Sequence, residues 1–191
     1  MRDPVEWLRA SGAQGDVIDG LTRYAKDWPT LWNACPRGDW LLSIALKLGV
    51  DHALAVHAAI GCARVASDLA SADPAIAQAF AQVLDAAERW TRAEETKEIV
   101  ADKTRALEAA SARASDPSIE AAARAGIAVG MGITDREVLT AAPAAAAEAQ
   151  MMASMDCGFE MAMRWAHDKC ASAVRAAIPW SAIETCLAAA T

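Results

Sequence analysis

Trp28-Pro29-Thr30-Leu31-Trp32-Asn33-Ala34-Cys35-Pro36-Arg37-Gly38-Asp39-Trp40-Leu41-Leu42-Ser43-Ile44-Ala45-Leu46-Lys47-Leu48-Gly49-Val50 is the stretch whose reading decides the fold. Three of the chain's seven tryptophans fall between Trp28 and Trp40, beside two prolines, a cysteine and an Arg-Gly-Asp turn. Asp39 is placed as an N-cap, because its carboxylate can accept from the free N–H groups of the turn that follows. From Trp40 the apolar residues Trp40, Leu41, Ile44, Ala45 and Leu48 recur as a buried helical stripe. Gly49 ends that helix as a left-handed residue. A rigid aromatic turn thus feeds an apolar helix, with Trp40 expected to be largely buried and Arg37 at least partly exposed.

Composition extends this helical reading to the whole chain. The sequence is 54% hydrophobic but only 5% aromatic, so alanine supplies much of the apolar content. Alanine favours helix and fills little volume, which implies closely approaching helices with large residues at a few seams. Proline-led starts recur at Asp3-Pro4, Asp73-Pro74 and Asp116-Pro117, each an acidic cap followed by a residue suited to the first helical position. Asp16 and Asp51 cap two further helices, Thr134 and Glu137 form a capping box, and Pro143 opens a last long helix reaching toward Ala177. Gly126 to Gly132 loosens the helix begun at Pro117, while the spacing of Gly126 and Gly130 at four on an apolar helix marks close helix contact, and Pro179-Trp180 starts a closing segment. No stretch alternates as a strand would. The expectation is one all-α domain over residues 1–191, a bundle of about eight to ten helices. The two Asp-Pro-x-Ile starts at 73 and 116 add a helical-hairpin repeat character.

Charge and cysteine usage bound the function. A net charge of −7 excludes the basic face of a nucleic-acid binder and suits a basic protein partner. No uninterrupted apolar run approaches the ~20 residues of a membrane span, and the N-terminus carries no signal-peptide pattern. Five cysteines without Cys-x-x-Cys spacing fit reduced thiols in a cytoplasm. Catalytic patterns are missing too: there is no Gly-x-Ser-x-Gly elbow, no His-Glu-x-x-His and no phosphate-cradling glycine loop.

Three groups of residues carry recognisable chemistry. Arg37 and Asp39 flank Gly38 between Trp32 and Trp40, where a guanidinium can stack on an indole or fork onto a carboxylate; the simpler reading is a local ion pair beside a cap. Glu94, Glu95 and Glu98 lie in the most charged part of the chain, a solvated face reaching to Asp102. The third group is Met151, Met152, Met155, Cys157, Met161, Met163, His167 and Cys170. Of these, Met163, His167 and Cys170 share one helix face and are soft donors suited to Cu(I). Gap-filling methionine among alanines competes with that reading.

The run Trp32…Cys35-Pro36-Arg37-Gly38-Asp39-Trp40-Leu41-Leu42, followed by Leu48-Gly49-Val50-Asp51, resembles the signature of the Imm-5-like immunity proteins, small helical bacterial proteins. Lys169-Cys170 through Val174-Arg175 to Ile178-Pro179-Trp180 is similar to that family's C-terminal end. The resemblance implies a protein that binds and occludes a cognate toxin, without catalysis or cofactor. The contact candidates are Trp32, Arg37 and Asp39 on the turn and Glu94, Glu95 and Glu98 on the acidic face. A helical soft-metal or small-ligand binder built on residues 151–170 is the alternative. Either way, far-UV circular dichroism is expected to be predominantly helical; strand content near the globular average of ~20–25% would refute the fold reading.

Overall fold

The acidic caps fold as their chemistry requires. The Asp3 carboxylate accepts from the N–H groups of Val5 and Glu6 and starts α1 (Pro4–Ala10). Asp51 starts α5 (His52–Ala63), Asp73 starts α7 (Pro74–Thr91) and Asp116 starts α9 (Pro117–Met131) in the same way. Each supplies acceptors for N–H groups that a helix start leaves unpaired. The computed structural model describes residues 3–13, 15–154 and 158–189, apart from the side chain of Asp16. The expected cap by Asp16 therefore lies outside the described residues, as do Met155 and Cys157.

Among the described residues there is no strand, and the fold is all-α. The remaining helices are α2 (Gly15–Thr22), α3 (Trp28–Ala34), α4 (Gly38–Lys47), α6 (Ser67–Ala70), α8 (Lys97–Ser111), α10 (Ala141–Ala153), α11 (Phe159–Ala177) and α12 (Trp180–Ala189). Short 3-10 turns at Arg64–Ala66 and Arg136–Thr140 join neighbouring helices. The segments outnumber the eight to ten expected, for two reasons. The Trp28–Lys47 stretch folds as two helices hinged at Cys35–Arg37. The long helix expected from Pro143 is divided into α10 and α11.

Alanine lets α5 and α9 sit at the centre. Helix α5 packs against α4, α7, α9, α10 and α11, and α9 packs against α7, α8 and α10. The facing surfaces are Ala55, Ala58, Ala59 and Ala63 on α5 and Ala121, Ala122, Ala125 and Ala128 on α9, all buried. One apolar cluster runs from Leu8 to Leu187. By length and composition His52–Ala70 could cross a membrane, which the sequence reading did not anticipate; half of that window is buried within the fold.

Glycine does not loosen α9 as expected. The helix continues through Gly126 and Gly130, where a side chain is excluded. A Cβ at Gly126 would stand 2.7 Å from the Phe80 ring, and one at Gly130 would stand 1.9 Å from the Thr104 hydroxyl. The next start is capped by Asp135, whose carboxylate accepts from the Glu137 N–H; the expected Thr134 capping box does not form, since the Thr134 hydroxyl bonds the Met131 carbonyl. Gly49 behaves as predicted, with φ +81°. Its N–H donates to Leu46 and that of Val50 to Ala45, the paired bonds of a Schellman ending.

The tryptophans divide the organising stretch into inside and outside. Trp28 and Trp32 are buried, and Trp28 meets Trp7 edge-on at 5.3 Å. Trp40 is mostly covered and packs against the core, short of full burial; the inward face of α4 is Leu41, Leu42, Ile44, Ala45 and Leu46. The anchor of the stretch is therefore Trp32, at 1% exposure. Trp32→Ala should cost about 3–5 kcal/mol in chemical denaturation. Trp32→Phe should cost less, because the buried indole N–H it removes has no acceptor.

Candidate functional site

The hinge between α3 and α4 brings Cys35, Arg37, Asp39 and Trp40 to one corner. Asp39 sits in the first turn of α4 but caps nothing, correcting the expectation that it would be the N-cap; Arg37 precedes the helix without a side-chain cap bond. Instead the Arg37 Nε and Nη2 donate to the two Asp39 carboxylate oxygens at 2.9 and 2.6 Å, a forked pair. The guanidinium carbon also lies 4.5 Å from the centre of the Trp40 ring. The benzo edge of that ring abuts Gly20, where a Cβ would be 2.2 Å from Cη2. Trp40 thus joins α2 to Arg37, which is why it stops short of full burial.

Helix α11 reads this corner along one stripe. Gly38 rests on it so closely that a Cβ would stand 2.5 Å from the Cys170 Cβ and 2.9 Å from the Ala171 nitrogen. Four residues from Ala171, Arg175 Nη1 donates to the Cys35 carbonyl at 2.9 Å and to that of Trp32 at 3.4 Å. Toward the start of the helix, His167 Nδ1 lies 3.8 Å from an Asp39 oxygen. His167 is 8% exposed, and Nδ1 is buried without a hydrogen-bond partner among the described residues. Burial, and then the Arg37 charge, push its pKa below the usual histidine value, against the opposing pull of Asp39.

Arg37 stands between two clefts. One, of about 440 Å³, runs along α1 and α4 past Asp39, Trp40 and Lys47. The other, of about 650 Å³, lies between the Arg23–Tyr24 turn, Pro36–Arg37 and the first three turns of α11. Phe159, in the lining of the second, is 48% exposed, and Met161 and Trp165 elsewhere on the start of α11 are 75% and 49% exposed.

The predicted site residues are only partly brought together. Arg37 and Asp39 form the clamp, and Arg37 is accessible to a partner. Trp32 is buried beneath them and supports the turn from inside, so it is not itself a contact residue. Glu94 pairs with Arg92 and Glu95 with Arg89, at 3.0 and 2.9 Å, leaving Glu98 exposed on α8. Met163 and His167 line the larger cleft, but the Cys170 thiol is directed at the Cys62 and Pro143 carbonyls. The three donors of the Cu(I) reading thus do not converge, and no group of three or more His, Cys, Asp or Glu among the described residues could hold a metal. Burial raises the Cys35 thiol to about 11, so it is no ready nucleophile. His52 bonds the Gly132 carbonyl and His57 is exposed.

Arg23, Tyr24, Phe159, Arg164, Trp165 and Arg175 were not singled out from sequence. For Arg175 the signal was its spacing from His167 and Ala171 on one helical face; the others depend on long-range packing. No family model matches the chain, and no curated protein or solved structure matches it either.

The His167 pKa fixes a pH dependence. A histidine whose folded pKa is depressed binds fewer protons folded than unfolded. Its stabilising contribution is present above the unfolded value of about 6.5 and is lost as pH falls through that value toward the folded one. The melting temperature should therefore drop between pH 7 and 5 more steeply in the wild type than in His167→Gln. Equal slopes would remove His167 from the balance.

Proposed function

We propose that the protein is a binding protein of the immunity type, which neutralises a protein toxin by covering it. The observation that supports this most is the uncovered apolar surface at the start of α11. Met161 and Trp165, one turn apart on the same face of α11, are 75% and 49% exposed, and Phe159 at the start of the helix is 48% exposed. Large apolar side chains left in water together mark interaction surfaces more often than they mark a monomer's ordinary surface. Trp165 and Arg37 are of the residue types that dominate interface energetics. The surface adjoins the clamped turn, since Phe159 and Arg37 line the same cleft. A partner can meet a preformed Arg37 fork and a tryptophan without first ordering a loop, which lowers the entropic cost of association.

The adjoining turn and α4 carry the resemblance to the Imm-5-like proteins, whose signature spans Trp32 to Asp51. The net charge of −7 would draw a basic toxin toward the chain over long range. Exposed Glu98 on α8 contributes to that field, whereas Glu94 and Glu95 are already compensated by arginines. Contact is assigned to the turn and α11, with α8 steering.

Co-production with the products of the genes that neighbour its own, chosen for toxicity to cells, tests this. The wild-type chain should protect cells, and Trp165→Ser should weaken capture of the toxin by at least about tenfold, ~1.4 kcal/mol. Its melting temperature should stay near wild type, because the side chain is half exposed. Arg37→Ala should weaken capture as well and should also lower stability, because it strands the poorly solvated Asp39 carboxylate. A stable Trp165→Ser protein that protects fully would move the interface away from α11.

A further inference from the structure

The cleft beside α11 has the composition of a site for a small anion. Its charged lining comprises Arg23, Arg37 and Arg164 against Glu160 and Asp168, and Arg37 is already forked onto Asp39. Arg164 is the uncommitted member. Glu160 and Asp168 stand four residues to either side of it on α11, where helical pairs ordinarily form, yet no ion pair within 4 Å joins it to either. Arg23 is held over the Tyr24 ring at 5.9 Å and likewise has no acid.

A second observation is independent of those charges. His167 lines the cleft while 8% exposed, and its Nδ1, 3.8 Å from an Asp39 oxygen, is buried without a hydrogen-bond partner among the described residues. A buried polar atom without a bond is unfavourable, and a bound group can relieve that by reorienting the ring. An anion beside it would also oppose the Arg37 field that disfavours the imidazolium. Pro36, Phe159 and Met163 supply apolar wall, and a volume of about 650 Å³ is that of an ordinary small-molecule pocket.

We propose that this cleft binds a small amphipathic monocarboxylate, its carboxylate held by Arg164 and Arg23 and its apolar body laid against Phe159 and Met163. Guanidinium forks match a carboxylate in two-point geometry. Glu160 and Asp168 in the same lining disfavour phosphate and other multiply charged anions. The site does not depend on the toxin-binding reading, and its ligand need not be a protein.

Isothermal titration and imidazole NMR of the full chain test it with four probes. 3-Phenylpropionate should bind saturably at one site, at least about tenfold tighter (~1.4 kcal/mol) than the uncharged 3-phenylpropanol and tighter than inorganic phosphate. It should shift the His167 resonances and raise that residue's titration midpoint. Arg164→Gln, at an exposed position, should keep the wild-type melting temperature and lose about tenfold in affinity. Equal binding of acid and alcohol, tighter binding of phosphate, or an unaltered Arg164→Gln affinity would each overturn the assignment. So would no binding of the acid into the millimolar range. Tighter binding of the blocked dipeptide acetyl-Glu-Phe-amide would reassign the carboxylate to a partner's side chain and overturn the small-molecule site.

Discussion

The docking of the Trp32–Asp39 turn onto α11 is the constraint on which the corner depends. It combines three contacts of different kind at successive turns of one helix: the imidazole of His167 facing Asp39, the backbone at Cys170 and Ala171 meeting Gly38, and the Arg175 guanidinium holding the Trp32 and Cys35 carbonyls. A glycine is required at 38 because of close backbone approach; its conformation is helical. The Arg175 bonds matter because Pro36 breaks the helix and leaves the end of α3 with carbonyls to satisfy. A cation at a helix C-terminus also complements the helix dipole.

The Arg37–Asp39 pair acquires its meaning from that docking. On an open surface such a pair would contribute about 0–1 kcal/mol. Here Asp39 is 16% exposed, close to a buried histidine and bonded through both oxygens, so removing Arg37 would leave a carboxylate in a poorly solvated place. Arg37 in turn lies on Trp40, which abuts Gly20, so the clamp joins α2, α4 and α11. The result is a preformed edge between two clefts, with the exposed apolar residues of α11 beside it. A rigid edge of this kind is suited to recognition and contains no activated nucleophile.

Much of the fold was legible because it is local. Asp-Pro starts, the Gly49 ending and the alanine content are short-range physics, and the structure follows them at Asp3, Asp51, Asp73 and Asp116. The departures come where tertiary packing decides. The Gly126–Gly132 run reads as a loosening of α9, which packing overrides, whereas the four-residue spacing of Gly126 and Gly130 does mark close helix contact, with Phe80 and Thr104. Trp40 starts an apolar stripe, yet Arg37 and α2 share its ring between solvent and core. In the site, the pairing of Arg37 with Asp39 could be anticipated from two residues of separation. The approach of His167 and Arg175 across more than a hundred residues of chain could not, nor could the diversion of Cys170 away from Met163 and His167. Those depend on which face of α11 meets the turn, and periodicity alone does not specify a partner.

Native-state hydrogen exchange in Arg175→Gln measures the docking directly. The amides that close the hinge are Cys35, which donates to Leu31, and Leu41, which donates to Arg37. Loss of the Arg175 bonds should accelerate exchange at both by at least about tenfold, equivalent to ~1.4 kcal/mol of local opening. The amides of Val100 and Leu107 on α8, remote in contact from the turn, should keep their protection. Unchanged exchange at Cys35 and Leu41, or a uniform loss across α8 as well, would contradict the claim that α11 specifically holds the turn in place.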